Sequence, residues 1–303
     1  MLDKFKTPIL FLIFNRPDIT QKVFDEIKKL KPTTLYVAAD GPRIAVAGED
    51  QDCLAAREII KQVDWDCKVF TLFREVNLGC RIAVSSAIDW FFKEVEEGII
   101  LEDDCLPDQT FFWFCQELLA YYRTDNRIMH ISGSNYQFGK KIGDASYYFS
   151  RLAHIWGWAT WRRAWQFYDV NMNSYPQFVA EEKIKKIFND SEVQKNWVNN
   201  LTKIYKGANT WDYQWAYANL IYNSYCIIPN ENLISNIGFG KKSTHTFNKD
   251  DVLANLPLGS INQIKHPQKL EYATEADHFT NTKVFNPPSL IVRVRNRIKR
   301  ILS

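Results

Sequence analysis

The sequence predicts an α/β protein with a mostly parallel sheet and helices on both of its faces. Strand-like and helix-like segments alternate between residues 8 and 131 of the 303-residue chain. The strand-like segments are continuous apolar runs, which is typical of parallel strands that are buried on both faces. Polar clusters follow three of these runs, at the strand ends where such sheets bind their ligands.

The first part of the chain supplies nine elements. The predicted strands lie at residues 8–14, 34–39, 68–73, 98–101 and 128–131. Each is a short apolar run, and strong turn signals such as Asp40-Gly41-Pro42 and Asn77-Leu78-Gly79 separate strands from the helices after them. Between the strands, apolar side chains recur at helical spacing. The predicted helices lie at residues 18–30, 49–63, 81–95 and 111–122.

The pattern changes after residue 132. Residues 136–150 are turn- and strand-like, and residues 156–168 are dense in tryptophan. Helices are predicted at residues 180–205 and 211–222, and a strand at residues 226–228. The sequence shows no internal repeat.

The composition is that of a soluble globular protein, with 46% hydrophobic and 24% charged residues. The formal net charge of +3 is too small to argue for a nucleic-acid partner, and none is predicted. Five basic residues and no acid lie in residues 290–303. Residues 289–302 are predicted to form an amphipathic helix, so the basic character belongs to a tail.

The cysteines and the N-terminal segment predict a cytoplasmic protein. The six cysteines form no CxxC pair and no zinc spacing, which indicates buried thiols in a reducing compartment. The longest apolar run near the N-terminus, residues 9–14, is too short to span a membrane and lacks a cleavage site.

Glu102-Asp103-Asp104 is the strongest candidate for chemistry. Three consecutive acids after a buried strand cannot all enter a core, because burying unpaired carboxylates costs too much free energy. Their oxygens would suit Mg²⁺ or Mn²⁺, with phosphate completing the coordination shell. The alternative is a solvated acidic turn or a helix cap, since Asp108 and a helix follow.

Of four other polar residues, three allow two interpretations each and Arg81 favours one. Asp40 is a turn residue or a ligand contact, and Arg16 binds a phosphate or base edge or lies on the surface. Arg81 begins a helix, where a cation opposes the dipole and therefore suggests an anionic partner. Asp212 is a helix cap or a general base.

The tryptophans at 156, 158, 161 and 165 form either core packing or a platform for sugar rings. Absent motifs narrow the function further. The sequence contains no P-loop, no GxGxxG after the first strand and no GxSxG elbow. Their absence argues against a P-loop ATPase, a Rossmann dehydrogenase and an α/β-hydrolase.

Six motifs in order resemble those of a GT-A glycosyltransferase, and in particular the N-acetylglucosaminyltransferase I family with its bacterial relatives in surface-polysaccharide synthesis. The motifs are PILFLIFNRPD, LYVAADGP, GIILEDDCLPDQTFFWF, HIWGWATWRRAW, TWDYQW and IGFGKKSTHTF. The resemblance runs from about residue 7 to residue 246. It implies a GT-A type fold, with a Rossmann-like mostly parallel sheet, flanking helices and a C-terminal acceptor-side region.

The resemblance implies a nucleotide-sugar-binding role for several residues. Arg16 would contact the donor nucleotide, Asp40 would read uracil, and the Arg81 helix precedes the acidic strand at the family's spacing. Asp103 would approach the ribose and Glu102 the sugar.

The same resemblance implies the metal ligand, the base and two further contacts. Asp104 would ligate Mn²⁺ (or Mg²⁺), and Asp212 would be the catalytic base. A loop over the donor would include three further nucleotide-sugar-binding residues, Lys241, Lys242 and His245. A platform at the acceptor and sugar sites would consist of Trp156, Gly157, Trp158 and Trp211.

The implied function is an inverting, Mn²⁺-dependent transfer of a sugar from a UDP-sugar, such as UDP-GlcNAc or another UDP-hexose, to a hydroxyl of a glycan or lipid-linked acceptor. Residues 1–132 would form the nucleotide-sugar-binding half and residues 133–286 the acceptor-side and catalytic half of one domain. Residues 134–150 and the region after residue 249 match the family poorly, so the resemblance does not identify the acceptor.

Residues 287–303 would form the basic tail, and residues 289–303 would hold the enzyme on the anionic inner face of the cell membrane. A solvated helix or a dimer contact is the alternative. Two other functions also stay open. One is a metal-dependent phosphodiesterase or nucleotidyltransferase that uses the acidic cluster, and the other is a non-catalytic sugar-binding protein that uses the tryptophans.

Overall fold

An eight-stranded, mostly parallel sheet organises the protein in the computed structural model, which describes residues 4–240 and 251–285. The strands are β1 (Ile9–Ile13), β2 (Thr34–Ala39), β3 (Lys68–Phe73), β4 (Glu97–Glu102), β5 (Cys105–Pro107), β6 (Ile128–Ser132), β7 (Tyr147–Ser150), β8 (Trp158–Trp161), β9 (Tyr225–Pro229) and β10 (Ile234–Asn236). The order in the main sheet is β3-β2-β1-β4-β8-β6-β9-β7. The predicted α/β fold class is therefore confirmed.

Two strands of the main sheet, β7 and β8, run against the others. The pairs β1–β2, β2–β3, β1–β4 and β6–β9 are parallel. By contrast, β8 is antiparallel to both β4 and β6, and β7 is antiparallel to β9. Strands from both sides of residue 132 therefore form one continuous sheet.

Helices cover this sheet on both faces. They are α1 (Pro17–Leu30), α2 (Glu49–Glu58), α3 (Gly79–Glu94), α4 (Gln109–Tyr121), α5 (Arg162–Trp165), α6 (Tyr175–Ala180), α7 (Ile184–Ile187), α8 (Ser191–Tyr205), α9 (Asp212–Ile221) and α10 (Thr274–Phe279). A 3₁₀ turn at Ile59–Gln62 extends α2, and a π-helical segment at Thr280–Phe285 extends α10.

Burial on both faces explains why the first strand is a continuous apolar run. In β1, Phe11 belongs to the hydrophobic cluster on one face, and Leu10 and Leu12 belong to the cluster on the other. Phe24 of α1 packs into the first cluster, and Phe91 of α3 packs into the second. Alternate side chains of the strand therefore point to two different cores.

Strand register brings three carboxyl ends together. Ile13 of β1 pairs with Ala39 of β2, and Leu12 pairs with Glu102 of β4. The chain leaves all three strands at the same edge of the sheet. A small antiparallel sheet of β5 and β10 lies beside this edge and pairs Cys105 with Asn236.

The helix predicted at residues 180–205 is wrong as a single element. The chain forms the short helix α7 and then α8, with a break before Ser191. Asp190 causes the restart, because its carboxylate accepts hydrogen bonds from the main-chain N–H of Glu192 at 2.8 Å and of Val193 at 3.1 Å. A side chain that satisfies these N–H groups favours a helix start at that residue.

The predicted tail helix at residues 289–302 lies outside the described residues. Within the described ranges, no helix is both long enough and apolar enough to cross a membrane.

Candidate functional site

The carboxyl ends of β1, β2 and β4 open into a cavity of about 250 Å³, which we call the strand-end cavity. Carboxylates and guanidinium groups dominate its charged lining. They belong to Asp40, Glu102, Asp103, Asp104 and Asp212 and to Arg16, Arg43 and Arg74. The structure therefore brings together the three polar clusters that the sequence places at strand ends.

Arg16 lies between two of these acids. Its Nη1 is 3.0 Å from Oδ2 of Asp104, and its Nη2 donates to Oδ1 of Asp103. The side chains are 14%, 11% and 4% exposed for Arg16, Asp104 and Asp103, so water screens these charges weakly. Arg16 thus neutralises part of the acidic cluster directly, a contact that the sequence did not predict.

Glu102 is the least compensated acid of the cluster. Its Oε1 is buried and has no hydrogen-bond partner among the described residues. Burial above all, together with the neighbouring Asp104 and Asp103, raises the pKa of Glu102 to about 8, against a smaller lowering by Arg16. The cluster therefore holds more carboxylate than Arg16 can balance.

Glu102 and Asp104 are the residues that could contribute oxygen ligands to a hard divalent cation, because an uncompensated carboxyl oxygen of Glu102 lies next to the partly paired Asp104. In the described ranges, no three His, Cys, Asp or Glu side chains are arranged to hold a metal ion by themselves. A cation here would therefore need further ligands, such as the phosphate oxygens that Mg²⁺ and Mn²⁺ commonly bind.

Asp40 is held by the start of α3. Its carboxylate accepts hydrogen bonds from the main-chain N–H of Gly41, Leu78 and Gly79 at 2.9 to 3.1 Å, and from the amide of Asn77 at 3.0 Å. These hydrogen bonds occupy both carboxylate oxygens of Asp40, a residue that is only 9% exposed. A nucleobase contact by Asp40 would have to replace one of these hydrogen bonds.

Arg81 does not line the strand-end cavity. Its Nη2 donates to the main-chain carbonyl of Val170 at 2.5 Å, and its main-chain N–H donates to Oδ1 of Asn209 at 3.0 Å. Arg81 therefore ties α3 to two neighbouring loops. A ligand in the strand-end cavity would therefore not contact the Arg81 side chain, although its position at the helix start suggests an anionic partner.

Asp212 is the first residue of α9 and lies half-buried in the cavity wall. The hydroxyl of Thr210 donates to its Oδ1. Asp212 is also near enough to Glu102 for its charge to contribute to the raised pKa of that residue. The two acidic motifs, 110 residues apart in the sequence, thus meet in one site.

A second cavity of about 150 Å³, which we call the aromatic cavity, adjoins the first. Its wall is mostly aromatic and apolar, with few polar groups. It consists of Tyr136, Ala153, His154, Ile155, Trp156, Trp197, Asn200, Asp212, Tyr213, Ala216, Leu253 and Phe285. Ile155, Trp156 and Asp212 line both cavities and therefore form the boundary between them.

The predicted platform residues differ in their placement. Trp156 is half-buried and lines both cavities, whereas Trp158 is 1% exposed and lines neither. Trp211 is 2% exposed, stacks on Trp158 with ring centroids 5.7 Å apart, and lines the strand-end cavity. Trp158 thus packs in the core and offers no face to a sugar.

Gly157 has a packing role. Its φ of +58° is a left-handed conformation, and an added Cβ would lie 2.4 Å from Ile234. The glycine therefore lets the chain turn closely over β10 between Trp156 and Trp158. Lys241, Lys242 and His245, predicted to close over the donor, lie outside the described residues.

Sequence reasoning missed several residues of both cavities. Arg43, Arg74 and Asn236 line the strand-end cavity, and His154 lines the aromatic one. Single polar residues carry no periodic or spacing signal. His154 does begin the HIWGW motif, which is the only sequence feature that pointed towards it.

No family model matches the chain, and no curated protein matches it. Similar solved structures include apo mouse xyloside xylosyltransferase 1, with 12% identity, a TM-score of 0.35 and coverage of 71% of this chain and 81% of that chain. Apo UDP-glucose pyrophosphorylase has 10% identity, a TM-score of 0.37 and coverage of 73% and 90%. The 4-diphosphocytidyl-2C-methyl-D-erythritol synthase of Anaerococcus prevotii has 8% identity, a TM-score of 0.32 and coverage of 57% and 77%.

These likenesses are too weak to carry a functional argument. The resemblance to the N-acetylglucosaminyltransferase I family therefore stays a prediction. The residues of the two cavities are the basis on which a function can be proposed.

Proposed function

We propose that this chain is a glycosyltransferase that moves a sugar from a UDP-sugar to a hydroxyl group of an acceptor with inversion at the anomeric carbon. The observation that carries the proposal is the position of Asp212, which lines a charged cavity and an aromatic cavity at once. A transferase needs one group within reach of two different substrates. The boundary between the two cavities provides that place.

The strand-end cavity suits the donor. Its lining holds five carboxyl groups, including Glu102 with its raised pKa, against three guanidinium groups, which would disfavour an anionic diphosphate. A divalent cation resolves this conflict, because it is attracted by the carboxylates and by the phosphates together. Asp104 would hold Mn²⁺ or Mg²⁺, and the uncompensated Glu102 lies beside it. When bound, the cation would supply Lewis-acid stabilisation of the leaving phosphate.

Asp212 would act as the general base in this proposal. Its carboxylate accepts the proton of the acceptor hydroxyl while that oxygen bonds to the anomeric carbon. The bond from the anomeric carbon to the UDP oxygen breaks on the opposite face, and UDP leaves with the electron pair. The hydroxyl of Thr210 donates to Oδ1 of Asp212 and so orients the carboxylate.

Thermal unfolding with a panel of nucleoside diphosphates and UDP-sugars, each with Mn²⁺ or with a chelator, tests the donor assignment. We expect a Mn²⁺-dependent rise in Tm with UDP compounds only, since a ligand at 100 times its Kd stabilises by about 2.7 kcal/mol. Asp104→Asn should abolish the Mn²⁺ dependence. The matched control is Asp144→Asn, because Asp144 is an exposed acid outside both cavities.

Two results would contradict the proposal. The absence of any UDP-specific shift would remove the donor site. A shift that is equally large with unrelated phosphate esters would instead favour a phosphodiesterase or a nucleotidyltransferase.

A further inference from the structure

His154 lines the aromatic cavity and has one buried ring nitrogen that no group in the described part of the chain satisfies. His154 is 2% exposed, and its Nε2 has no hydrogen-bond partner within residues 4–240 and 251–285. Its Nδ1 lies 3.0 Å from the main-chain carbonyl oxygen of Ser134. Because a carbonyl oxygen can only accept, Nδ1 carries the proton and Nε2 presents a lone pair. A residue of the cavity wall therefore carries a hydrogen-bond acceptor that the described protein groups leave unused.

His154 is held in one orientation and in one charge state. Tyr136 stacks on the imidazole with ring centroids 4.2 Å apart and an interplanar angle of 21°. Burial lowers the pKa of His154 to about 4, so the ring is neutral at neutral pH. The lone pair on Nε2 is thus unprotonated at neutral pH and can accept a hydrogen bond.

Size and wall chemistry restrict what can enter. An apolar cavity of about 150 Å³ has room for a ligand with one six-membered ring. The rings of Trp156, Trp197 and Tyr213 offer carbon-rich walls that suit C–H groups. An anion would meet the lone pair of His154 and the carboxylate of Asp212. A purely apolar ligand would leave Nε2 unsatisfied, which is costly in a buried site.

A ring with several hydroxyl groups meets all of these requirements. Its C–H faces pack on the aromatic side chains, and its edges carry O–H donors. In such a complex one donor would pair with His154, and another would lie at Asp212, which lines both cavities. The half-buried amide of Asn200 adds one further polar contact in the same wall.

We infer that the aromatic cavity binds a single neutral pyranose ring of the acceptor, with one hydroxyl or N–H donating to Nε2 of His154 and the reacting hydroxyl directed to Asp212. The inference rests on the proposed function, because that function defines Asp212 as the group that receives the acceptor proton. His154 is then a positioning residue that selects which face and which hydroxyl of the ring is presented.

Tryptophan fluorescence measures binding directly, because Trp156 and Trp197 line the cavity. The probes are methyl β-glycosides of glucose, galactose and N-acetylglucosamine, titrated with and without UDP and Mn²⁺. We expect saturable quenching by at least one glycoside. His154→Phe keeps an aromatic ring but removes the acceptor, and Ala216→Leu fills the cavity. Both should weaken glycoside binding about 10-fold or more and leave the UDP-dependent rise in Tm unchanged.

The matched control for the cavity-filling variant is Ala120→Leu. Ala120 is an exposed residue of α4 that lines neither cavity. A series of deoxy-glycosides distinguishes a role of His154 in positioning the sugar from a role in maintaining the fold. Loss of the hydroxyl that pairs with His154 should weaken binding to the wild-type protein about 10-fold and binding to His154→Phe not at all.

Each outcome bears on the inference. It is overturned if no glycoside quenches the wild-type protein, if both variants bind as the wild type does, or if no deoxy position distinguishes His154→Phe. If glycosides bind as expected but UDP compounds give no shift in Tm, the ring site stands and the proposed transfer reaction falls.

Discussion

The two cavities that meet at Asp212 are built in opposite ways. The strand-end cavity forms where parallel strands of one sheet end, and charged groups dominate it. The aromatic cavity forms where the segment at 153–156 meets α8 and α9, and it has aromatic walls with few polar groups. The first depends on a balance of charge and the second on shape and one buried acceptor.

This difference predicts which substitutions each cavity tolerates. A charge deleted from the strand-end cavity leaves its opposite buried without a partner, which costs stability as well as binding. A side chain changed in the aromatic wall alters volume and shape, so binding should suffer before folding does. Substitutions can test this contrast, beginning with the residue that the cavities share.

Asp212→Asn should have the largest effect. If Asp212 is the base that receives the acceptor proton, the substitution lowers the rate of UDP release in the presence of a glycoside by about 10²–10⁴-fold. The Mn²⁺-dependent rise in Tm with UDP should not change, since the amide keeps the shape of the wall. Asp144→Asn serves as the control, and an unaltered rate in Asp212→Asn would remove it as the base.

Arg16→Met should damage the strand-end cavity through stability. The substitution leaves Asp103 and Asp104 buried without their cation, so the free energy of unfolding should fall by about 3–5 kcal/mol in urea titrations. Mn²⁺ should restore more stability to this variant than to the wild type. Arg123→Met removes an exposed pair with Glu97 and should cost no more than about 1 kcal/mol. Equal losses in the two variants would show that Arg16 does not balance the cluster.

Trp158→Ala and Trp156→Ala should distinguish a tryptophan of the core from a tryptophan of the ligand site. Trp158 is buried against Trp211 and Trp215, so its truncation should lower the free energy of unfolding by about 3–5 kcal/mol. Trp156→Ala should cost less stability and weaken glycoside binding more, because Trp156 lines both cavities. The reverse pattern would show that Trp158, not Trp156, contacts the glycoside.

The smallest effect concerns pH. The pKa of His154 is lowered by burial, so the unfolded chain takes up a proton near pH 6.5 whereas the folded chain does so only at about 4. The stability that the neutral histidine contributes is therefore lost as the pH falls below 6.5. Between pH 7.5 and 5.5, His154→Phe should lose about 1 kcal/mol less than the wild type in urea titrations. Identical pH slopes would mean that the imidazole titrates normally.

Much of the strand-end cavity could be predicted from the sequence, and the reason is physical. Parallel strands that are covered on both faces must be apolar, and β2 has the predicted bounds at residues 34–39. β3 also has its predicted bounds at residues 68–73, but it is an edge strand whose first four residues are exposed. Polar groups that follow such strands must gather at one edge, and they do. The functional roles of those groups stay predictions, because a role depends on partners. The oxygens of Asp40, for example, are taken by donors up to 39 residues away in the sequence.

The rest depends on contacts that no local pattern encodes. β8 is a four-residue strand, and its antiparallel place between β4 and β6 is decided by packing. The buried acceptor on His154 exists only because Ser134 takes its other nitrogen. The restart of α8 at Asp190 is a local signal, and it was outweighed by the helical pattern on both sides.

The position of β8 affects how the chain folds during synthesis and where it can be truncated. β4 is buried over four of its six residues, and its free side is covered by β8, with Glu97 opposite Trp161. During synthesis β4 leaves the ribosome before β8, so its free side is uncovered for a time. A polypeptide that stops at residue 132 would carry β4 as an open apolar edge, and such edges pair with other molecules. The N-terminal half of this sequence should therefore be recovered as aggregate when expressed alone and as monodisperse protein only when residues 133–161 follow it.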